Sequence, residues 1–345
     1  MSSSPTLRRV STAHSHFLAL PDLASRAAGG AVVWANDELF AEKENLIIPA
    51  AAEHRPATFG HTGQVYDGWE TRRSRGADRE SCDSAIIRLG APGIVRGVVV
   101  DTAWFTGNYP PEVSVEAAYV AGHPSAQELV ERHWTTIVAR SPVDGDTRNP
   151  FEVSSGRRWS HVRLSMYPDG GVARLRVHGE GLLDPQFAEL PLDLAALENG
   201  GRITGCSNMF YSAPNNLLLP GTARTMGDGW ETSRRRDAGN DWVQVQLAGR
   251  GVLGFAELDT SYFIGNAPAS ARLRGRDGDN EWFDLLDEVA LQPDTRHRFL
   301  IASERPVTEA RLDVFPDGGM ARLRLFGRLP DDGLRAVAER WSLTG

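Results

Sequence analysis

Short runs rich in Val, Ile, Leu and aromatic residues recur along the chain between Gly and Pro punctuation, which is the pattern of strands joined by tight connections. They predict strands over residues 85–89, 95–103, 113–120, 162–167 and 172–177, and again over 242–247, 252–260, 299–302, 312–315 and 320–326. Alternation is clearest where Leu175 lies between Arg174 and Arg176, and Leu323 between Arg322 and Arg324. This predicts one apolar face and one face of solvated arginines. Pro168-Asp169-Gly170-Gly171, which recurs as Pro316-Asp317-Gly318-Gly319, is a turn signal between two such strands and predicts a hairpin closing each set. Helix candidates are few, at 126–133, 193–198 and 332–341.

The two lists of strands are two copies of one pattern. Asp22 matches Asp193 and Asn45 matches Asn216 at an offset of 171; Asp67 matches Asp228 at 161, Asp101 matches Asp259 at 158, and Asp169 matches Asp317 at 148. The offset only shrinks, so the second copy has shorter connections. A unit of about 150 residues is a domain rather than a solenoid repeat of about 20 to 50. The expected fold class is therefore all-β: two tandem homologous β-sandwich domains of jelly-roll type with few short helices. The expected layout is a flexible arm over 1–20, a first repeat over 21–190, a second over 191–330 and a helical tail over 331–345.

Composition narrows the function. A net charge of −8 argues against nucleic-acid or membrane-surface binding, both of which need a basic footprint. Lys43 is the only lysine, which leaves little scope for Schiff-base chemistry. Cys82 and Cys206 do not occupy matching positions and read as free thiols in a reducing compartment. The mildly apolar stretch after Arg8 and Arg9 is broken by His14, His16, Pro21 and Asp22, too early for a secretion signal, and no run approaches 18 apolar residues. A cytoplasmic protein is expected.

Two duplicated clusters carry candidate chemistry. The tetrapeptide Asp-Gly-Trp-Glu at 67–70 runs on into Arg73 and Arg75, and its copy at 228–231 runs on into Arg234 and Arg236. It reads as a loop in which glycine permits a sharp turn, tryptophan packs beneath, and acidic and guanidinium groups converge on a ligand. A structural corner, with Asp accepting backbone N–H groups and Glu paired to Arg, fits the same residues. The second cluster is Asp101 with Asn108 and Asp259 with Asn266, each after a strongly apolar strand. There a partly desolvated carboxylate suits a general acid, although capping of the following turn, with Gly-Asn supplying a left-handed residue, fits equally. Tyr109 occurs only in the first copy. The duplicated Arg163 and Arg311 suit bracing of an Asp on a neighbouring strand. No histidine pair has metal-ligand spacing; His54 and His61 just before Asp67 fit a surface role better than a place in a repeat-one site, so no tight metal site is expected, and Asp and Glu would hold a divalent ion weakly at most.

The ordered set GG, NLIIP, DGWETRRSR, DTAWFTGNYP, YPDGGVARLR, then NGG, NLLLP, MGDGWETSRRR, DTSYFIGNAP, FPDGGMARLR resembles the allantoicase family over about residues 20–328. The resemblance implies two jelly-roll repeats, assembly into a homo-oligomer, and hydrolysis of allantoate to ureidoglycolate and urea. That reaction needs a cation for the substrate carboxylate, an acid to protonate the departing urea, and a base for water. The expected catalytic set is Asp67, Glu70 and Asp101 with Asp228, Glu231 and Asp259. Arg73, Arg75, Asn108 and Tyr109, with Arg234, Arg236 and Asn266, would bind the substrate. The first copy keeps Arg72, Tyr109 and the histidines, and the second keeps the fuller MGDGWET context, so either copy, or a site shared between them, meets the requirement. A non-catalytic tandem jelly roll that binds a ureide or a carbohydrate is the alternative.

Overall fold

The computed structural model describes residues 16–75 and 80–345. The expected flexible arm lies outside the described residues up to position 15. From there a 3-10 turn, His16–Ala19, buries Phe17 against the backbone of Gly97.

Each repeat is built on one 19-residue strand, Asp83–Asp101 or Asp241–Asp259, that belongs to both sheets of its sandwich. In repeat one its first half pairs with Ala31–Ala35 and Arg158–Tyr167, and the latter continues to Glu112–Ala118 and Thr135–Pro142. Its second half pairs with Arg174–Gly181 on one side and Arg148–Glu152 on the other. The crossing lies between Gly90 and Gly93, where a Cβ on Gly90 would stand 2.0 Å from the Ala28 carbonyl oxygen and one on Gly93 2.5 Å from that of Glu180. Repeat two repeats the arrangement: Asp241–Asp259 pairs first with Arg202–Cys206 and Val307–Phe315, then with Arg322–Arg328 and Arg296–Leu300. Val307–Phe315 continues to Ser270–Arg276 and Phe283–Ala290. Buried Val, Leu, Ile, Ala and Trp side chains from both repeats form one connected apolar core.

The all-β, two-repeat expectation holds, with several corrections of detail. The runs 85–89 and 95–103 are halves of one strand. Edge strands such as Arg148–Glu152, half exposed and interrupted by proline, escaped the apolar pattern. Pro168-Asp169-Gly170-Gly171 does not close a hairpin: Arg158–Tyr167 and Arg174–Gly181 pair with different halves of the long strand, so the turn carries the chain from one sheet to the other. Its Gly170 does take a positive φ, 148°, as does Gly318 at 136°. The stretch 193–198 is not a helix, because Asp193 pairs with Phe326 and its carboxylate accepts the N–H groups of Ala195 and Leu325, leaving only a 3-10 turn at Leu197–Asn199. The helix near the end is real, Asp331–Leu343, and the one expected at 126–133 is shorter, Ala126–Val130.

The largest departure concerns the arginine face. Arg174, Arg322 and Arg324 are buried, not solvated, and donate to backbone carbonyls and to carboxylates. Neither Arg163 nor Arg311 braces an Asp of a neighbouring strand: Arg163 pairs with Glu116 on the adjacent strand, and Arg311 with Asp313 on its own.

Candidate functional site in the first repeat

The Asp-Gly-Trp-Glu corner divides its residues between support and surface. Trp69–Glu70 forms a short strand against Gly171–Val172, with Glu70 opposite Gly171, and Glu70 is bonded on its other side to Ala41. Trp69 is fully buried and its indole N–H donates to the Asp37 carbonyl at 2.8 Å. Gly68 is needed for space, since a Cβ there would lie 2.7 Å from both Phe105 and the Val172 carbonyl oxygen. Asp67 turns inward: both its oxygens are held by Arg174 at 2.9 Å, and one also accepts the Glu53 N–H at 2.7 Å. Only the fourth residue of the corner faces open space.

That space is a cavity of about 740 Å³ whose walls include Phe40, Gln64, Tyr66, Glu70, Arg73, Asn108, Tyr109 and Asp169. The half-buried Glu70 carboxylate accepts the Asn108 side-chain N–H at 2.8 Å. Burial pushes the Glu70 carboxyl above its ordinary value, against the opposing pull of the Asn108 hydrogen bond and of Arg73. Asn108 is itself pinned beside Glu70, because its carbonyl accepts the Gly171 N–H at 2.7 Å. Tyr109 packs against Gly145, where a Cβ would meet its ring at 2.4 Å. Asp169 brings a second carboxylate to the wall, with Oδ2 accepting the Ser74 N–H at 2.7 Å. Asp169 was legible only as part of the duplicated turn; its signal as a site residue was that the turn packs against the Asp-Gly-Trp-Glu corner, which the sequence does not reveal.

The other expected site residues sit elsewhere. Asp101 caps its own turn, with Oδ1 accepting the Ala103 N–H at 2.9 Å, and does not line the cavity. The left-handed residue of that turn is Trp104, φ 70°, rather than the Gly-Asn pair. Arg75 is exposed and outside the cavity wall. In repeat two Glu231 and Asn266 keep their pairing at 2.6 Å, but the Met226 sulfur lies 3.2 Å from the same Asn266 nitrogen. Tyr66 and Tyr109 are replaced there by Gly227 and Ala267. Asp228 pairs with Arg224, Asp259 caps Ser261 at 2.8 Å, and Arg234 and Arg236 are exposed. His54 stacks on Trp104 with centroids 4.6 Å apart, and His61 is exposed. Among the described residues no three His, Cys, Asp or Glu side chains come together as a metal site.

Comparison with known proteins identifies the family. The allantoicase repeat family matches residues 21–182 and 192–330. A probable allantoicase of Nocardia farcinica is 61% identical over 316 residues, 91% of this chain and 95% of that protein. Allantoicase of Dictyostelium discoideum is 41% identical, over 90% of this chain and 87% of its own length. The crystal structure of Saccharomyces cerevisiae allantoicase superposes with a TM-score of 0.79 at 34% identity, covering 89% of this chain and 92% of the yeast one. With two copies of the repeat spanning nearly its whole length, this chain belongs to the allantoicase family.

Proposed function

We propose that the chain hydrolyses allantoate to ureidoglycolate and urea, and that the repeat-one cavity is where it does so. The observation that carries the placement is Glu70: a half-buried carboxyl group with a raised pKa, aimed at Asn108 in a cavity that also holds Arg73 and a second carboxylate. A carboxyl group that keeps its proton more tightly than usual is suited to general-acid work.

Allantoate carries a carboxylate and two ureido groups on one carbon. Arg73 supplies the cation for the carboxylate, and Asn108 and the Tyr109 hydroxyl supply hydrogen bonds around it. As the bond from the central carbon to one ureido nitrogen breaks, its electron pair stays on nitrogen and the Glu70 carboxyl gives that nitrogen a proton, releasing urea. The nitrogen of the remaining ureido group stabilises the electron-poor carbon. A water oxygen then bonds to that carbon and loses a proton to Asp169, and proton return through solvent resets both carboxyls. One water molecule is consumed and no redox change occurs.

On this reading Asp67, Asp101 and Arg75, with Asp228, Glu231, Asp259, Arg234, Arg236 and Asn266 of repeat two, build or brace the fold rather than carry the chemistry. No helix among the described residues is long and apolar enough to cross a membrane. A cytoplasmic location and a homo-oligomeric state belong to the same proposal, and exposed Met209, Phe210 and Tyr211 offer an apolar surface for self-association. The deciding experiment is urea release from allantoate by Glu70→Gln and Glu231→Gln made separately. Loss of about a thousandfold in kcat for the first and near-normal rates for the second are expected. Normal rates in both would remove the cavity from the mechanism, and no urea from the unaltered protein would leave the ligand-binding alternative.

A further inference from the structure

Between Asn45 and Asp67 the first repeat has 22 positions, whereas Asn216 to Asp228 in the second spans 12, so repeat one carries ten extra residues just ahead of its Asp-Gly-Trp-Glu corner. Those residues form a small hairpin, Phe59–Gly60 paired with Gly63–Gln64, extended by the Val65 N–H donating to the Thr58 carbonyl at 2.8 Å. Thr62, Gly63, Gln64 and the adjoining Tyr66 form one wall of the cavity. The base of the segment is anchored: Glu53 donates its N–H to Asp67, the Ala52 carbonyl accepts the Trp104 indole N–H at 2.9 Å, and the Tyr66 ring stacks on Phe105 with centroids 4.9 Å apart. In repeat two the short connection instead delivers Met226 onto the Asn266 amide. The insertion therefore both clears the space beside the Glu70–Asn108 pair and lines it with polar groups.

Among those groups Gln64 has a chemistry that the opposite charges of Glu70 and Arg73 do not supply. It is half-buried, lines the cavity, and among the described residues its side-chain amide has no hydrogen-bond partner. A primary amide presents a carbonyl acceptor next to an N–H donor, which is the complement of the N–H and C=O edge of a ureido group. We infer that the repeat-one insertion is the selectivity element of the site and that Gln64 recognises a ureido group of the substrate. The inference rests on the proposed reaction at this cavity, and it assigns Gln64 to recognition rather than to the bond-breaking step.

A pair of competitive inhibitors tests it. N-carbamoylglycine and N-acetylglycine both carry a carboxylate and differ in a terminal NH2 against a CH3. The unaltered protein should be inhibited about tenfold more strongly by the carbamoyl compound, since the acetyl compound lacks the N–H that the Gln64 carbonyl would accept and so forgoes about one hydrogen bond. Gln64→Leu should abolish that preference and raise KM for allantoate about tenfold, with kcat within about twofold. Gln64→Glu, closer in shape, should lose affinity for both inhibitors, and thermal melting of each variant shows that it is folded. An unchanged inhibitor ratio in folded Gln64→Leu, or a fall in kcat without a change in KM, overturns the inference. Glu70→Gln assayed alongside keeps the two ideas separate: if it stays fully active the proposed reaction site fails, whereas if it is dead and Gln64→Leu is indistinguishable from the unaltered protein only the selectivity role fails.

Discussion

Arg174 grips both oxygens of Asp67 at 2.9 Å, with 1% and 6% of the two side chains exposed, while the repeat-two counterparts Arg322 and Asp228 meet only through the Asp228 carbonyl. Removing one partner of a buried pair strands the other charge without water, so Asp67→Asn should lower unfolding free energy by about 3–5 kcal/mol. The double change Asp67→Asn with Arg174→Met should recover much of that, because no charge is then left alone. Asp228→Asn should cost at most about 1 kcal/mol, since its side chain is a third exposed and its partner Arg224 is largely solvated. Burial raises the Asp67 carboxyl, but Arg174 and the Glu53 N–H outweigh it and hold the group below its ordinary value. Its contribution is thus present above that ordinary value and lost as pH falls through the lowered one. Urea denaturation of the single and double variants, repeated in mild acid, checks all of this.

Arg73 is exposed on the cavity wall, and in the proposed reaction it is the guanidinium that meets the substrate carboxylate. Arg73→Met should raise KM about tenfold to a hundredfold and change kcat by less than about threefold, the signature of lost uniform binding. Arg234→Met should leave both constants unchanged. Steady-state kinetics with allantoate distinguishes the cases, and an unaltered KM in Arg73→Met would move carboxylate recognition to another residue.

Much of the fold was legible because the duplication is written in identities: Asp22 and Asp193 each cap the same turn and accept the N–H of the matching strand residue, Val177 or Leu325. The site was only half legible. Asp-Gly-Trp-Glu offers two carboxylates, and local spacing does not say which one faces a long-range partner. That depends on Arg174, 107 positions away, which claims Asp67 and leaves Glu70 to the cavity. The strand alternation that placed arginines on one face was read correctly, yet that face is covered: the segment around Pro49 and Ala50 lies over Arg174 and Arg176 and receives their N–H groups. Tertiary cover of this kind leaves no local mark. The copies also depart in pairs that only the structure links: Asp37 with Arg72 in repeat one becomes Asn208 with Ser233 in repeat two, and both pairs are in direct contact.

If Glu70 acts as the acid, kcat/KM should fall as pH rises through its raised pKa, because the working form is the protonated one. Asn108 donates to the ionised carboxylate and so pulls that value down. Asn108→Leu removes the pull, so the alkaline limb should move to higher pH even as the maximal rate drops. The observable is the position of the limb in a pH profile, not its height. A limb that stays in place on loss of Asn108, or that survives in Glu70→Gln, would assign the titration to a different group.

The helix Asp331–Leu343 joins the two repeats, and its hold on repeat one is concentrated in Arg158. That guanidinium lies 4.3 Å from the Tyr119 ring centre and 4.2 Å from that of Trp341, and donates to the Trp341 carbonyl, while the Arg158 N–H bonds to the Thr344 carbonyl at 2.7 Å. Arg340 adds a bond to Glu180 at 3.0 Å. On repeat two the helix is held by the Arg250–Asp332 pair at 2.8 Å and by Val337 against Gly249. Arg158→Ala removes both cation–π contacts, worth together about 1–3 kcal/mol, and should loosen the helix on repeat one, where the backbone bond to Thr344 and the Arg340–Glu180 pair remain, while leaving it tethered to repeat two. Trypsin should then cut faster after Arg335 and Arg340, and amides over 331–343 should exchange faster, while kcat/KM with allantoate stays within about twofold because Arg158 does not line the cavity. Unchanged exchange over the helix would show that repeat two alone fixes it, and a large fall in activity would mean that the helix, through the relation of the two repeats, shapes the reaction site.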